Sequence, residues 1–98
     1  MMSEKEIAKC QKQWEQETIE FICRYIKLSA HEHNQDKALE SFIDHENWLV
    51  REAVAETAGL VKRYDLLERL VFDENECVRI AAIAPFIEAI NYKTCFND

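Results

Sequence analysis

One local sequence pattern occurs twice in this chain, and this repeat limits what the chain can fold into. Residues 38–62 match residues 66–90 at a shift of 28 positions, with apolar, polar and turn positions kept together. The matching pairs are Leu39-Glu40 with Leu67-Glu68, Phe42-Ile43 with Leu70-Val71, Glu46-Asn47 with Glu74-Asn75, Val50-Arg51 with Val78-Arg79, and Ala53 with Ala81. Internal repeats of about 20 to 50 residues are typical of solenoids and related arrays. The sequence therefore predicts a tandem repeat.

The composition indicates that the repeated unit is helical. Hydrophobic residues make up 48% of the chain and charged residues 32%, while there is one glycine, Gly59, and one proline, Pro85. Turns that need a positive φ are therefore scarce, which disfavours a sandwich or barrel. A chain of 98 residues can form one hydrophobic core. We expect an all-α single domain over residues 1–98, with about five helices.

Capping residues and apolar spacing place the predicted helices. Ser3 and Glu6 form a capping box that begins a helix, or a bent helix pair, over residues 4–29. Trp14 lies at helical spacing within it and is expected in the core. Repeat one spans residues 35–62 and repeat two residues 64–90, and residues 91–98 form a tail. Each repeat has a first helix, a turn with Asp44 or Asp73, and a second helix with an asparagine cap. The predicted caps are Asn34, Asn47 and Asn75. The predicted core positions in the second helix of repeat one are Leu49, Val50, Ala53, Val54, Thr57, Ala58 and Val61.

The turns and the helices that follow them resemble a known family. Asp44-His45-Glu46-Asn47 precedes Val50-Arg51-Glu52-Ala53, and Asp73-Glu74-Asn75-Glu76 precedes Val78-Arg79-Ile80-Ala81. An Asp-containing turn followed by a helix that opens with Val-Arg resembles the HEAT family, in the short bacterial form known from phycobilisome lyases. The resemblance covers residues 38–90 and implies a right-handed stack of helices. The turn aspartates are 29 positions apart, which predicts two slightly different turns, and Gly59 has Ile87 as its counterpart.

Charge and cysteine usage narrow the function classes. The net charge is −7, with the acidic excess concentrated in the repeats, so that phosphate backbones are repelled. Arg51 and Arg79 recur once per repeat among glutamates, and intramolecular pairing suits them better than binding to nucleic acid. The sequence has no apolar run of transmembrane length and no signal-peptide pattern. Four cysteines without close pairing indicate a reducing compartment. We expect a cytoplasmic protein that binds neither nucleic acid nor membrane.

No motif indicates catalysis. His31, Glu32 and His33 contain metal-ligating atoms, but they lack the two further ligands at regular spacing that zinc sites have. A cysteine nucleophile would need a base nearby that stabilises its thiolate, and glycine-rich phosphate loops are absent. We therefore expect no enzyme activity, no cofactor and no metal.

A protein-binding surface remains as the expected site. Trp48 follows the cap Asn47 and corresponds to Glu76 in repeat two, a position that is usually exposed. Trp48 either packs on the N-terminal helix or anchors an interface, where tryptophan is enriched. The acidic residues around it suit a basic partner, and they are Glu46, Glu52, Glu56, Glu74 and Glu76. In its small size and acidity the chain resembles the immunity and inhibitor proteins with which bacteria neutralise basic toxins or nucleases, and this resemblance implies that it acts by occluding such a partner.

The last helix supports an alternative function. It is apolar nearly all round, and its additional stripe consists of Ile80, Ile83, Ile87 and Ile90. A terminal repeat would normally present a polar face. Either the tail folds back over this stripe, or another protein covers it. The alternative is a subunit or homo-oligomer that assembles through the last helix. A third possibility, a lyase-like accessory protein, would need a pocket with convergent polar groups.

Overall fold

The computed structural model describes residues 3–31 and 35–96 of the chain, and the side chains of residues 3–31 and 37–91. It contains five helices, which are α1 (Glu4–Ser29), α2 (Gln35–Phe42), α3 (Trp48–Leu60), α4 (Tyr64–Leu70) and α5 (Glu76–Phe96). In the part of the chain that is described there is no strand. The prediction of an all-α fold with five helices is confirmed, and the right-handed, HEAT-like stacking stays a prediction.

The predicted caps begin the helices. The Ser3 hydroxyl accepts a hydrogen bond from the Glu6 N–H, and the Glu6 carboxylate accepts one from the Ser3 N–H. The Asn47 side chain accepts from the Leu49 N–H at 2.9 Å, and Asn75 does the same for Cys77 at 2.8 Å. These bonds satisfy N–H groups that the first turn leaves without a helical partner. The predicted cap Asn34 lies outside the described residues.

The two arginines of the repeat hold the two turns in the same way. Arg51 Nη1 donates to the carbonyl oxygens of His45 and Glu46, at 2.7 and 3.0 Å. Arg79 Nη1 donates to those of Asp73 and Glu74, at 2.8 and 3.0 Å. Donors and acceptors are shifted by the same 28 positions that separate the sequence repeats. The prediction that the arginines interact within the chain is confirmed.

This register also explains the mismatched spacing of the turn aspartates. The residue equivalent to Asp73 is His45 and not Asp44. The His45 Nδ1 accepts from the Asn47 N–H at 3.0 Å, as the Asp73 carboxylate accepts from the Asn75 N–H at 2.9 Å. A ring nitrogen and a carboxylate oxygen thus close the same kind of turn, in which a side chain accepts from the backbone two residues on. The two turns are alike, contrary to the difference expected from the 29-residue spacing.

The helix α3 is the centre of the packing. It contacts each of the other four helices, with α1 and α5 as its largest neighbours, while α2 also contacts α1 and α4 also contacts α5. All five helices contribute to one apolar cluster, which includes Ile26, Leu39, Val54, Leu67 and Val78. The contact pattern places α1, α3 and α5 side by side, with α2 and α4 packed along the seams between them. The open side of α3 therefore lies between α1 and α5.

The single glycine allows the close approach of α3 to α5. A Cβ atom built on Gly59 would lie 2.6 Å from Cγ of Pro85, which is shorter than any normal contact. Since Pro85 lies inside α5 and its ring is rigid, neither side could yield easily. Gly59 and Pro85, the one glycine and the one proline of the chain, are therefore in contact where α3 packs on α5.

The N-terminal half of α1 differs from the prediction. All residues from 3 to 18 are exposed, and Trp14, which was predicted in the core, is 75% exposed. The reason is length, because α1 has 26 residues and α3, on which it packs, has 13. At about 1.5 Å per residue, half of α1 extends past its neighbour. Leu49, also predicted in the core, is 41% exposed because it faces the seam between α1 and α3.

The last helix is longer than predicted. The sequence indicated an end near Ile90, whereas the backbone of α5 continues to Phe96. Residues 91–96 extend the helix along its own axis, and so they do not fold back over its isoleucine stripe. The expectation of a tail that covers this stripe is wrong for these residues, and the last two residues of the predicted tail lie outside the described part.

Candidate protein-binding surface

The structure separates the predicted partner-binding residues into different surfaces. Glu46 and Glu74 lie in the turns before α3 and α5, and we call the surface around them the turn edge. Glu52 and Glu56 lie one turn apart on α3, on its open side between α1 and α5. Glu76 is the exposed first residue of α5. A partner that binds at one of these surfaces therefore need not contact all five glutamates.

At the turn edge, acidic groups are largely compensated by arginines. Arg51 makes a two-pronged ion pair with Asp73, at 2.8 and 3.1 Å, and both side chains are about nine-tenths buried. Arg69 pairs with Asp44 at 3.1 Å. The Glu74 carboxylate lies 3.8 Å from Arg51 but is 91% exposed. The buried pair and the bonds from Arg51 to the turn carbonyls hold the two turns together. The main role of the turn edge is therefore structural.

Electrostatics stabilises the ionised form of Asp73. Burial raises the pKa of this carboxyl, but the hydrogen bonds from Arg51 and from the Asn75 N–H and the charges of Arg51 and Arg79 outweigh it, and the net pKa is lowered. The bond to Asp73 also raises the pKa of Arg51, despite its burial. Both groups are therefore charged at neutral pH. Each supplies the opposite charge and the hydrogen bonds that a buried ion needs.

The open side of α3 has two grooves, and the first separates α3 from α1. It is lined by Ile19, Glu20, Cys23, Arg24, Lys27, Leu28, Leu49, Glu52, Ala53 and Glu56. The Lys27 ammonium lies 3.5 Å from the Glu56 carboxylate and thereby joins the two walls. The lining carries both signs of charge, so this groove has little preference for the sign of a partner.

Cys23 in the first groove does not have the character of a nucleophile. Burial raises the pKa of its thiol, the charge of Lys27 lowers it, and the charges of Glu52, Glu56 and Glu20 raise it again, with a raised pKa as the result. The thiol lies 3.5 Å from the carbonyl oxygen of Leu49, to which it donates. A protonated, hydrogen-bonded thiol is the opposite of the activated thiolate that cysteine catalysis requires.

The second groove lies between α3 and α5 and has a different character. Its volume is about 600 Å³. The lining residues are Glu52, Glu56, Gly59, Leu60, Cys77, Ile80, Ala81, Ala84, Pro85 and Glu88. Leu60 and Ile80 are mostly exposed, while the alanines and Gly59 keep the floor low. The described residues give this groove apolar walls and carboxylates, and no basic side chain lines it.

Glu52 lies at the ridge between the two grooves and is only partly exposed. Burial raises the pKa of its carboxyl, the charge of Glu56 raises it further, and Lys27 lowers it, which leaves a net increase. The ionised form of Glu52 is thus destabilised, because its carboxylate is partly removed from water and lies beside the like charge of Glu56. Carboxylates in such positions are more frequent at binding sites than elsewhere on a surface.

Trp48 lies in the first turn of α3 and is 37% exposed. It lines neither of the two grooves. Half-buried tryptophan can serve as an interface anchor or as part of the folded core, so both interpretations from the sequence remain.

Two stripes of exposed apolar residues lie on α1 and α5, the helices at the two ends of the row. On α1 the exposed residues are Ile7, Trp14, Phe21, Tyr25 and Leu28, and on α5 they are Ile80, Ile83, Ile87 and Ile90. The α5 stripe was identified from sequence, since its neighbours in repeat one are glutamates. The α1 stripe was missed because Trp14, near its middle, was assigned to the core. The spacing of seven that relates Ile7, Trp14, Phe21 and Leu28 was a signal for a second apolar face.

The described residues contain no group of three His, Cys, Asp or Glu side chains arranged to hold a metal ion. His31 is exposed at the end of α1, and His33 lies outside the described residues. None of the helices in residues 3–31 and 35–96 combines the length and apolar character that crossing a bilayer requires. Comparison of the chain with protein-family models, with curated proteins and with solved structures gave no match.

Proposed function

We propose that this chain is a protein-binding module that uses the open side of α3 to bind a basic protein. The observation that supports this is Glu52, whose partly buried carboxylate lies beside Glu56 on a surface flanked by two grooves. Lys27, 3.5 Å from Glu56, offsets only part of the repulsion between these two carboxylates, and a cationic partner would relieve more of it. The HEAT-like repeat that the sequence resembles fits this function, since helical arrays present such faces for binding.

The more specific form of the proposal is an immunity or inhibitor protein. Its carboxylates would pair with the Lys and Arg residues that a toxin or nuclease uses for nucleic acid, and the bound module would occlude them. The net charge of −7 would accelerate association with such a partner. Trp48, Glu46, Glu74 and Glu76 would extend the contact around the beginnings of α3 and α5. Cytoplasmic location and the absence of catalysis, cofactor and metal belong to the same proposal.

Capture from the source cell tests this function. The tagged protein is compared with the Glu52→Lys/Glu56→Lys and Trp48→Ala variants at low and high salt, with circular dichroism as a check on folding. We expect one basic protein that is retained at low salt, released at high salt and lost from the charge-reversed variant. The purified partner should lose its nuclease or toxic activity when the wild-type module is added. Retention of an acidic or neutral protein, with no dependence on salt, would refute the proposal.

A second function is favoured by the apolar stripe of α5. Its residues Ile80, Ile83, Ile87 and Ile90 remain exposed, at 60%, 40%, 52% and 63%. Such a stripe could join two copies of the chain or join the chain to a larger assembly. In that case the mass in solution depends on protein concentration, and Ile83→Glu/Ile87→Glu gives a monomer. Sedimentation of the wild type and of this variant decides between the two functions. A concentration range of about a hundredfold covers the dissociation of a weak dimer.

A further inference from the structure

The two grooves beside α3 differ in one respect that bears on the kind of partner. In the groove between α1 and α3, Lys27 pairs with Glu56 and Arg24 adds a second positive charge. In the groove between α3 and α5, the described charged residues of the lining are Glu52, Glu56 and Glu88, although Glu56 keeps its pair with Lys27. The first groove is bridged and mixed in charge, while the second is open and acidic. Charge complementarity therefore selects the second groove for a basic segment.

The carboxylates of the second groove are arranged along its length. Glu52 and Glu56 are one helical turn apart on α3, which corresponds to about 6 Å along the axis. Glu88 lies on α5, and the shift of 28 positions makes it the counterpart of Leu60, one turn further on. The acidic groups thus mark three successive turns. A partner helix that lies along the groove would meet them with basic residues three or four positions apart.

The floor and rim of this groove supply apolar contacts. Gly59, Ala81 and Ala84 have small side chains and leave room for a partner, while Leu60 and Ile80 stand at the rim and are 75% and 60% exposed. An amphipathic helix fits this groove, because its apolar face would lie on the low floor between the rim residues and its basic residues would meet the carboxylates. An extended strand fits less well, since the described residues offer no free sheet edge with which it could pair. On α5 the lining runs from Cys77 to Glu88, which is about 17 Å of helix.

From this arrangement we infer that the groove between α3 and α5 binds a basic amphipathic helix of about three turns, with Lys or Arg at successive turns against Glu52, Glu56 and Glu88 and apolar side chains over Ala84. The inference rests on the proposed function, because it also requires a basic partner. It adds the segment of the partner that is recognised and the groove that receives it.

A synthetic peptide tests the inference on the whole chain without knowledge of the natural partner. The probe is a fluorescent peptide of 14 residues, about four turns, with lysines every third or fourth position and leucines on one face. Its controls are a scrambled peptide of the same composition and a peptide with Glu in place of Lys. Fluorescence anisotropy gives the affinities, and circular dichroism reports helix formation by the bound peptide. We expect the amphipathic basic peptide to bind and become helical, and the two controls to bind about tenfold more weakly or not at all.

Three variants locate the bound peptide. Glu52→Lys/Glu88→Lys should weaken its binding by about tenfold or more, because two attractive charges become repulsive. Ala84→Trp fills the floor of the groove without changing the charge and should have a similar effect. Glu17→Lys/Glu68→Lys makes the same change in net charge at exposed positions away from the groove, and binding should stay within about twofold of wild type.

Several outcomes would overturn the inference. If Glu52→Lys/Glu88→Lys and Glu17→Lys/Glu68→Lys weaken binding equally, or if the scrambled peptide binds as well as the amphipathic one, the attraction is only that of net charge. If Ala84→Trp binds normally while Glu52→Lys/Glu88→Lys does not, the peptide lies outside the groove. If the wild type dimerises and Ala84→Trp does not, the groove holds a second copy. The proposed function is tested separately. A captured basic protein whose binding is unaffected by the groove variants would leave that function intact and refute only the groove.

Discussion

Single residues in this chain carry conformational and electrostatic costs that can be measured. Lys62 has a φ of 61°, in the left-handed region that favours glycine. It ends α3, with the Lys62 N–H bonded to the Gly59 carbonyl and the Arg63 N–H bonded to the Ala58 carbonyl at 2.8 Å. This is the Schellman arrangement, in which glycine is the usual residue. The sequence did not reveal it, because a lysine stands where the signal would be a glycine.

Lys62→Gly should therefore stabilise the protein. The substitution removes the steric cost of a side chain at positive φ, and we expect the free energy of unfolding to rise by about 0.5–1 kcal/mol. Urea denaturation followed by circular dichroism gives the value. Lys62→Ala is the control, since it removes the charge and keeps the Cβ atom, and it should leave the stability nearly unchanged. Equal stabilisation by both substitutions would show that the lysine charge and not the backbone is responsible.

Asp73→Asn should be strongly destabilising. It leaves the Arg51 guanidinium, which is only 10% exposed, without its buried charged partner, since the other nearby carboxylate, that of Glu74, is 3.8 Å away and 91% exposed. We expect a loss of about 2–4 kcal/mol. The matched control is Asp44→Asn, whose pair with Arg69 is exposed on both sides, and this substitution should cost less than about 1 kcal/mol. Similar losses in the two variants, measured by urea denaturation at pH 7, would contradict the assignment of a structural role to Arg51 and Asp73.

The same pair makes stability depend on pH in a definite direction. Because the pKa of folded Asp73 is lowered below the value of about 3.8 for a free carboxyl, its contribution is fully present above that value. The contribution is lost as the pH falls below 3.8 and through the folded pKa. Urea midpoints of wild type and Asp73→Asn should therefore converge between about pH 4 and pH 2. A difference that stays constant over this range would mean that the carboxyl charge does not matter.

At the scale of helices, much of the architecture could be predicted from the sequence. Capping residues gave the start of α1 and the starts of α3 and α5, because a cap is a local interaction of neighbouring residues. The 28-residue repeat also continues into α1, where the fully buried Ile26 corresponds to Val54 and Ala82. The side chain at this position becomes smaller from Ile26 to Val54 to Ala82, which hid the relation from a comparison of residue types.

Other properties of the helices depend on partners that a sequence does not show. An amphipathic pattern places Trp14 and Ile26 on α1 with equal justification, but only Ile26 has a neighbouring helix to cover it. The extension of α5 to Phe96 was missed because Asn91, Tyr92 and Thr94 are weaker helix formers than alanine or leucine, and their backbone follows the long apolar helix before them. The candidate groove was also missed, since its walls come from two helices that are brought together by the packing of Gly59 on Pro85.

The contact between α3 and α5 can be tested at this one point. Gly59→Ala adds a methyl group where Cγ of Pro85 lies 2.6 Å away, so the helices must separate. We expect a loss of about 1–3 kcal/mol, although alanine favours helix more than glycine does. In a Pro85→Ala background the same substitution should be neutral or stabilising, because the ring is gone. A double-mutant cycle with urea denaturation measures the difference, and additive effects would show that the two residues are not in contact.

The whole molecule is more extended than its length requires. It measures 70 × 30 × 19 Å with a radius of gyration of 16.8 Å, whereas a compact chain of this size would have about 13 Å. Its two longest helices, α1 and α5, are longer than the neighbours that support them. The core is therefore a short bundle with two long flanking helices, and both of these carry apolar stripes.

The two tryptophans report on this shape. Trp14 projects from α1 with 75% exposure, and Trp48 is half as exposed on α3. In Trp48→Phe, which keeps only Trp14, acrylamide should quench the fluorescence strongly and the emission maximum should be that of tryptophan in water. In Trp14→Phe the remaining Trp48 should be quenched less. If Trp14 is the better protected residue at low concentration, α1 does not extend freely, whereas protection that appears only at high concentration would indicate that copies of the chain associate through α1.

The extension of α1 beyond α3 has a consequence for how the chain unfolds. The side chains of residues 4–18 are all exposed, so this part of α1 depends mainly on its own helical hydrogen bonds and on the Ser3 cap, and an isolated helix of that length is marginal in water. Their amide protons should exchange with solvent within seconds to minutes, while those of Ile26, Val54 and Val78 exchange only through global unfolding. The cooperative unit thus begins near Ile19, and residues 4–18 behave as a helical arm that can melt and re-form while the core stays intact.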